Sequence, residues 1–247
     1  MISFSSKTAA SSCKICGAPA DEIFRLPSSK LTGQPIPDAP DDCPYYQCRD
    51  CQFLFTTIHD AMDHATLYDD SYWHEQDPDW YGRVSETLRL VLLSQSFLHL
   101  DPWRLRVLDF GCGMGTFVDV ARRQLQMEAW GTDIIEPRFG RDWFLRPADL
   151  SSAQFDVVVA CEVIEHLGDP LAAFDQIKRS LVGGGVVAFQ TAYYDPAACG
   201  RDWWYIGPAN GHVSLYSVRS LDVLAERLGA RRRILWNNYP GLQAWQL

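Results

Sequence analysis

Two pairs of cysteines near the start of the chain have the spacing of a metal site. Each CxxC pair can present two thiolates on one turn, and two facing turns give the four sulfur ligands that Zn²⁺ takes in a closed structural site. Residues 13–56, which contain both pairs, are too few to bury a large core, so a metal would supply stability. The sequence therefore predicts a structural Zn²⁺ bound by four cysteines: Cys13, Cys16, Cys48 and Cys51.

A glycine-rich turn follows an apolar segment in the middle of the chain. Asp109 precedes three glycines at alternate positions, Gly111, Gly113 and Gly115. Glycines let the backbone approach a ligand without a Cβ clash. The spacing is GxGxG, whereas the dinucleotide-binding pattern is GxGxxG. A carboxylate before the loop also suits a cationic group such as an amino-acid ammonium better than it suits a phosphate.

Further polar residues follow the next apolar segments. Asp133 ends the second such segment, where a carboxylate can accept hydrogen bonds from both hydroxyls of a ribose. Cys161 and Glu162 end the third segment, and we expect them to face the same crevice. His166 follows closely and could act as a general base, because its unperturbed pKa lies near working pH; a packing or hydrogen-bonding role is the alternative.

The elements that must position these residues alternate along residues 104–247. Short apolar segments predict strands, and amphipathic segments between them predict helices; such alternation indicates an α/β fold with a parallel sheet. The predicted strands are Arg106–Phe110, Ala129–Asp133, Asp156–Ala160 and Val186–Thr191, with an antiparallel pair at Arg231–Trp236 and Leu242–Gln246. The predicted helices lie near Phe117–Leu125, Pro170–Leu181 and Val218–Leu228.

Charge and composition restrict the function classes. The net charge of −9 opposes a general nucleic-acid role, which depends on Lys and Arg neutralising phosphates. Residues 51–82 contain seven carboxylates and no Lys or Arg. No long apolar run predicts a membrane span, and the polar N-terminus lacks the apolar stretch of a secretion signal, so we expect a cytoplasmic protein.

Taken together, these motifs resemble those of the class I S-adenosylmethionine-dependent methyltransferases. VLDFGCGMGTF is similar to their first motif, GTD to their second and FDVVVACEVIEHL to their fourth. The resemblance covers residues 104–236 and implies a Rossmann-like, seven-stranded sheet. It also implies that Asp109 and the three glycines line the methionine and ribose pocket, that Asp133 binds the ribose diol and that Asp149 contacts adenine. The short span after Asp133 predicts an abbreviated third strand near Asp142–Arg146.

The N-terminal cysteines extend the resemblance. CxxCG, YxxCxxCxFLFT and LYDDSYW are similar to segments of bacterial methyltransferases that carry a zinc-binding N-terminus, including sugar C-methyltransferases. The sugar C-methyltransferases carry a further C-terminal domain that this sequence lacks, so their particular chemistry is not carried over. The implied architecture is a tail at 1–12, a zinc-binding module at 13–56, a helical linker or lid at 57–103 and a catalytic domain at 104–247.

Aromatic residues and a second histidine indicate where the substrate that accepts the methyl group would bind. The aromatic group after the fourth strand suits a sugar or planar substrate, although packing could explain half of it; its members are Tyr193, Tyr194, Trp203, Trp204 and Tyr205. The segment GHVSLYS resembles one that the family places before its next helix. There His212 is the first choice for a proton acceptor, with hydrogen bonding in a lid as the alternative.

We therefore expect methyl transfer from S-adenosylmethionine to a small-molecule or glycan acceptor. Two alternatives stay open: an rRNA or tRNA methyltransferase, against which the acidic segment counts, and a non-catalytic ligand-binding protein of the same fold. A nicotinamide-dependent oxidoreductase is disfavoured by the loop spacing. The oligomeric state is not predictable from these residues.

Overall fold

The computed structural model describes residues 11–30, 40–60, 80–98, 101–137, 142–236 and 241–247. In these ranges the strands are β1 (Ser11–Ser12), β2 (Pro19–Pro27), β3 (Asp42–Cys48), β4 (Leu54–Thr56), β5 (Arg106–Phe110), β6 (Glu128–Thr132), β7 (Phe155–Cys161), β8 (Leu181–Thr191), β9 (Ser214–Leu215), β10 (Arg232–Trp236) and β11 (Gly241–Gln246). The α-helices are α1 (Trp80–Leu98), α2 (Thr116–Arg123), α3 (Pro170–Ser180) and α4 (Val218–Leu228). Short 3-10 turns lie at Pro102–Arg104, Pro147–Ser152, Ile164–His166 and Pro208–Asn210.

The main sheet has the order β10-β11-β8-β7-β5-β6. Strands β6, β5, β7 and β8 are parallel, and β11 pairs antiparallel with both β8 and β10. The chain runs from β5 outward to β6 and then returns to β7 on the other side of β5. The carboxyl ends of β5 and β7 therefore form the switch point at which open α/β sheets bind ligands. The predicted mixed α/β fold is thus confirmed.

The third predicted strand is largely missing, which corrects the expectation of seven strands. Within the described residues the sheet has six strands, and residues 142–146 contribute one parallel bridge between Phe144 and Gly131. Pro147 begins a 3-10 turn directly afterwards, and a proline cannot donate the next ladder hydrogen bond. The short connection to β7 leaves no room for a longer pairing.

Two hydrophobic layers cover the main sheet, as the β-branched run in β7 predicts. Val157 and Val159 face a core shared with α1 and α2, and Val158 faces a second core shared with α3 and α4. All three valines are fully buried. A strand buried on both faces has a continuous apolar sequence of this kind. The rigid sheet fixes the positions of the residues at its carboxyl edge.

The N-terminal region forms a second, antiparallel sheet that is not a separate unit. Its order is β1-β2-β3-β4-β9, and β9 comes from the catalytic part of the chain. Residues 11–12, expected to belong to a disordered tail, pair with β2; residues 1–10 lie outside the described residues. Helix α1 occupies part of the expected helical segment 57–103, whose residues 61–79 and 99–100 also lie outside. None of the described helices is long and apolar enough to cross a membrane.

Candidate functional site

Two buried carboxylates flank the glycine loop at the switch point. Asp109 lies near the end of β5 and is 6% exposed, and Asp133 follows β6 and is 8% exposed. Burial, together with the nearby charge of Asp133, raises the pKa of Asp109 to about 7. Burial also raises the pKa of Asp133. Such a pair favours a ligand that brings a positive group and hydroxyl donors.

The backbone of the loop already contacts Asp133. The amide of Gly113 donates to Oδ2 at 2.9 Å, and the amide of Ile135 donates to Oδ1 at 3.3 Å. An ionised carboxylate offers about four lone-pair sites, so two of them can still accept hydroxyl groups. The arrangement therefore fits the predicted diol contact while it fixes the shape of the loop.

The outer glycines of the loop are required by the packing of the protein itself. Gly111 has a φ of +78° and Gly115 a φ of +75°, in the left-handed region that favours glycine. A Cβ on Gly111 would lie 2.6 Å from Val163, and one on Gly115 would lie 1.8 Å from the Trp143 ring. The space on the Cβ side of these two glycines is thus filled by protein side chains, and their place in the ligand pocket stays a prediction.

Ile134 follows Asp133 directly in the chain, and Asp149 is the residue that the resemblance places against adenine. Ile134 is 57% exposed, although it is a large apolar residue. Ile134 is not among the predicted site residues; the signal for it in the sequence is its position directly after the strand-end carboxylate. Asp149 lies in the 3-10 turn before β7 and forms an ion pair with Arg146 at 2.8 Å. Asp149 is partly exposed, and its contact with adenine stays a prediction.

Beyond β7, Cys161 and Glu162 lead into a polar network. Glu162 has a φ of +53°, a conformation that costs energy in a residue other than glycine and often marks functional sites. Its carboxylate accepts hydrogen bonds from Tyr205 Oη at 2.7 Å and Gln190 Nε2 at 3.2 Å. The thiol of Cys161 lies 3.7 Å from Glu86 Oε2, and burial raises its pKa.

The same network contains a carboxylate that the sequence analysis did not single out. Glu165 is fully buried and accepts from Thr191 Oγ1 at 3.1 Å. Its Oε1 also lies 2.6 Å from Tyr205 Oη, whose single proton can be donated to either Glu165 or Glu162. Burial and the charge of Glu162 raise the pKa of Glu165. The signal in the sequence was its place between Glu162 and His166 in one short segment.

The two predicted bases lie side by side next to this network. The rings of His166 and His212 are 4.9 Å apart in an edge-to-face arrangement. His212 Nδ1 lies 2.6 Å from the Tyr205 carbonyl oxygen, and its Nε2 lies 3.2 Å from Asn210 Nδ2. Burial lowers the pKa of His212 to about 4, and burial and the neighbouring His212 lower that of His166. Both rings are therefore neutral at pH 7, and the base role stays a prediction.

The predicted aromatic group divides between the site and the core. The Tyr205 ring lies 4.3 Å from the His212 ring, and Trp203 packs 5.4 Å from Tyr205. Tyr194 is buried in a core with β3 and β4. The Tyr193 ring lies against Gly241 and occupies the space that a Cβ atom there would need. Trp204 is 56% exposed. Tyr205 is the member whose hydroxyl group forms hydrogen bonds in the polar network.

The four predicted zinc ligands converge. Their sulfur atoms all lie within 4.8 Å of one another, with Cys13 Sγ 3.6 Å from Cys51 Sγ and Cys16 Sγ 3.4 Å from Cys48 Sγ. Sulfurs around a tetrahedral Zn²⁺ are about 3.8 Å apart. Two backbone amides, those of Ile15 and Cys51, point at Cys13 Sγ and Cys48 Sγ at 3.4 Å. The cluster can therefore hold a metal ion, and Cys43 lies outside it.

Three hydrogen bonds join the cysteine module to the segment that carries His212. Tyr45 Oη donates to the His212 carbonyl oxygen at 3.1 Å, and the Thr56 amide donates to the Val213 carbonyl oxygen at 3.0 Å. Ser217 Oγ donates to the Cys51 carbonyl oxygen at 2.8 Å and also caps α4. The module thus holds the backbone from His212 to Ser217, on the C-terminal side of this histidine.

Family comparison agrees with the geometry. Residues 72–232 match the model of a family described as a methyltransferase domain. The chain belongs to this methyltransferase family. The prediction of a S-adenosylmethionine-dependent methyltransferase is confirmed at the level of enzyme class. No curated protein sequence matches the chain.

Solved structures share the fold of this family at low sequence identity. The 1,6-didemethyltoxoflavin-N1-methyltransferase of Burkholderia thailandensis, with bound 1,6-didemethyltoxoflavin and S-adenosylhomocysteine, is 15% identical with a TM-score of 0.54. That match covers 81% of this chain and 97% of the other. DesVI of Streptomyces venezuelae is 18% identical with a TM-score of 0.50, over 75% of this chain and 98% of the other. The chain spans only 62% of the CurJ carbon methyltransferase, at 15% identity, a TM-score of 0.51 and 77% coverage of this chain. These similarities show the fold and leave the acceptor open.

Proposed function

We propose that the crevice between β5 and β7 binds S-adenosylmethionine and that the protein methylates a small-molecule or glycan acceptor. The observation that carries the proposal is the pair of buried carboxylates, Asp109 and Asp133, on either side of the glycine loop at the switch point. A buried carboxylate whose pKa is raised to about 7 gains most from a cationic partner, and an amino-acid ammonium is such a partner.

The residues present fit the parts of this cosubstrate. Asp109 would bind the ammonium group, and the open lone pairs of Asp133 would accept the ribose hydroxyls. The exposed face of Ile134 would cover the planar base, and Asp149 would accept from its amino group. The bound molecule supplies an electrophilic methyl group. The protein contributes mainly the fixed orientation of the two reactants.

The acceptor would lie on the β7 and β8 side of the crevice. Glu162 and Tyr205 border this side, with the partly exposed ring of His166 beside them. Carboxylates here suit hydroxyl or amine donors of a small acceptor and repel a phosphate backbone. The Burkholderia methyltransferase, which shares the fold, has 1,6-didemethyltoxoflavin bound together with S-adenosylhomocysteine, and this supports a small-molecule acceptor over RNA.

Proton removal from the acceptor would be secondary to positioning. His212 and His166 are the predicted proton acceptors, but their lowered pKa values make both of them weak bases at neutral pH. The hydrogen bonds of His212 at both ring nitrogens fit a positioning role as well. Near wild-type turnover in both His212→Gln and His166→Gln would remove the base assignment.

The cysteine cluster would hold structural Zn²⁺. Four thiolates leave no open coordination position, so the ion would not take part in the reaction. Its contribution would be to fix β3, β4 and, through β9, the segment around His212.

Transfer of a tritiated methyl group tests the acceptor class. The protein would be incubated with methyl-labelled S-adenosylmethionine and, separately, with a small-molecule extract or with purified tRNA and rRNA. Because the acceptor side is acidic, we expect label in the small-molecule fraction, lost in Asp133→Ala. Label that accumulates in RNA would contradict the proposal and favour the RNA methyltransferase alternative.

A further inference from the structure

Three side chains next to the acceptor side form a second group of metal-ligating atoms, separate from the cysteine cluster. They are Glu165, His166 and His212, and the ligand atoms that they offer all lie within 4.8 Å of one another. His166 Nε2 lies 4.0 Å from Glu165 Oε1. Two imidazoles and one carboxylate are a donor set that divalent transition metals prefer, whereas Ca²⁺ and Mg²⁺ prefer oxygen ligands alone. We infer that these three residues bind one divalent transition-metal ion.

The orientation of the two imidazoles supports the inference. His212 Nδ1 lies 2.6 Å from the Tyr205 carbonyl oxygen, so Nδ1 carries the proton and Nε2 carries the lone pair. His166 likewise makes a hydrogen bond with the backbone of Gly211. Metal-bound histidines are held in this way, with one ring nitrogen on a carbonyl group and the other on the ion. Asn210, which now contacts His212 Nε2, would have to release it.

The carboxylate has matching support. Glu165 is held by two hydroxyl groups, at 2.6 Å from Tyr205 Oη and 3.1 Å from Thr191 Oγ1. Metal-bound carboxylates are fixed by outer hydrogen-bond donors of this kind. A backbone hydrogen bond also joins the two segments, because the Val213 amide donates to the Glu165 carbonyl oxygen at 3.0 Å. The segments that carry His212 and Glu165 are therefore held together without a metal.

The charge of the surroundings also favours a cation. Glu162 and Glu165 meet at the single hydroxyl group of Tyr205, within 2.7 Å and 2.6 Å. The hydroxyl group has one proton to donate, so both carboxylates can be ionised in this buried place only if positive charge lies nearby; otherwise one of them holds a proton. Arg83 contributes some, since its charge acts on both histidines. A divalent ion would balance the pair more directly.

A bound ion would be accessible and well placed. The side chain of His166 is 18% exposed, whereas that of Glu165 is fully buried, so the open side of the group is the histidine side. The group lies beside Glu162, where the acceptor would bind. The ion would then hold an acceptor oxygen as a Lewis acid; this consequence, unlike the ion site itself, rests on the proposed function.

Binding of Mn²⁺ to zinc-loaded, full-length protein tests the inference. Free Mn²⁺ would be counted by electron paramagnetic resonance, and a harder ion such as Mn²⁺ does not displace Zn²⁺ from four thiolates. We expect one saturable Mn²⁺ per chain. His166→Gln and His212→Gln should each weaken binding by about tenfold or more, because each removes one ligand. Zinc content and melting temperature would show that the variants are folded.

A third variant separates a ligand from a hydrogen-bonding histidine. Asn210→Ala removes the contact to His212 Nε2, so it should leave Mn²⁺ binding unchanged or tighten it. Absence of a saturable Mn²⁺ site in wild type, or equal binding in wild type and both histidine variants, would overturn the inference. Titration of the same samples with S-adenosylhomocysteine distinguishes the two proposals: binding of that ligand without Mn²⁺ binding would leave the proposed function standing alone.

Discussion

At the scale of single residues, the site depends on carboxylates that are costly to bury. Asp109 is 6% exposed, and its pKa is raised to about 7 by burial and by Asp133. The pKa of Asp109 in the folded protein lies above its unfolded value near 3.8. The free-energy cost of burying the charged carboxylate is therefore absent at low pH and grows as the pH rises towards 7. A bound cationic ligand would offset this loss of stability. Stability and ligand affinity should therefore change in opposite directions with pH.

Asp109→Asn tests this opposition. At pH 8 the variant should unfold at a higher temperature, with a free energy of unfolding raised by roughly 2–4 kcal/mol, because a shift of one pKa unit corresponds to about 1.4 kcal/mol. Its affinity for S-adenosylhomocysteine should fall by roughly 30-fold or more, since loss of a buried charge partner costs about 2–5 kcal/mol. In wild type the affinity should rise between pH 6 and pH 8, and in the variant this rise should be missing. Melting curves and calorimetric titrations would measure both effects.

Asp119→Asn is the matched control for that experiment. Asp119 is an exposed carboxylate on α2, paired with Arg123 at the surface. Its loss should change neither the stability at pH 8 nor the pH dependence of binding. An Asp109→Asn variant that behaved like this control would show that Asp109 does not face the ligand.

At the scale of the elements, the antiparallel sheet of the cysteine module includes one strand, β9, from the catalytic part of the chain. β4 pairs with β9, directly after His212, and Ser217 Oγ donates to the Cys51 carbonyl oxygen at 2.8 Å. Module residues thus form hydrogen bonds with the backbone from residue 212 to residue 217. Loss of the cysteine cluster should therefore destabilise that segment before it destabilises the main sheet.

Cys16→Ser tests this coupling. Loss of one of four thiolates should release the bound zinc and increase amide hydrogen exchange in residues 212–217, while β5 and β7 stay protected. Zinc analysis and exchange detected by mass spectrometry would measure the two effects. Cys43→Ser is the matched control, because Cys43 is buried in the same module but lies outside the cluster. Equal exchange in the two variants would contradict a role of the cluster in holding this segment.

At the scale of the whole molecule, local patterns predict the sheet that carries the crevice. The valine run of β7 is one continuous stretch of sequence, and so is the glycine loop after β5. Their periodicity and composition therefore indicate the parallel strands directly. The two CxxC pairs likewise predict that four sulfurs converge, because the thiol spacing within each pair is local. These parts of the structure can therefore be predicted with little knowledge of distant contacts.

Other features depend on residues that are far apart in the chain. Strand β9 has only two residues, too few to show a period, and its pairing with β4 joins segments some 160 positions apart. The network at Tyr205 combines Glu162, Glu165 and Thr191 through side-chain contacts alone. The third strand, predicted to be abbreviated near Asp142–Arg146, is reduced further to one bridge between Phe144 and Gly131. No pattern in a single sequence determines these contacts.

Calorimetric titration with S-adenosylhomocysteine tests the central claim most directly. Wild-type protein and Asp133→Ala would be titrated side by side, and wild type would also be titrated with NAD. We expect saturable binding of S-adenosylhomocysteine by wild type, a large loss in the variant because the ribose contact is removed, and no binding of NAD. Absence of S-adenosylhomocysteine binding, or equal binding by wild type and Asp133→Ala, would contradict the assignment of the crevice between β5 and β7.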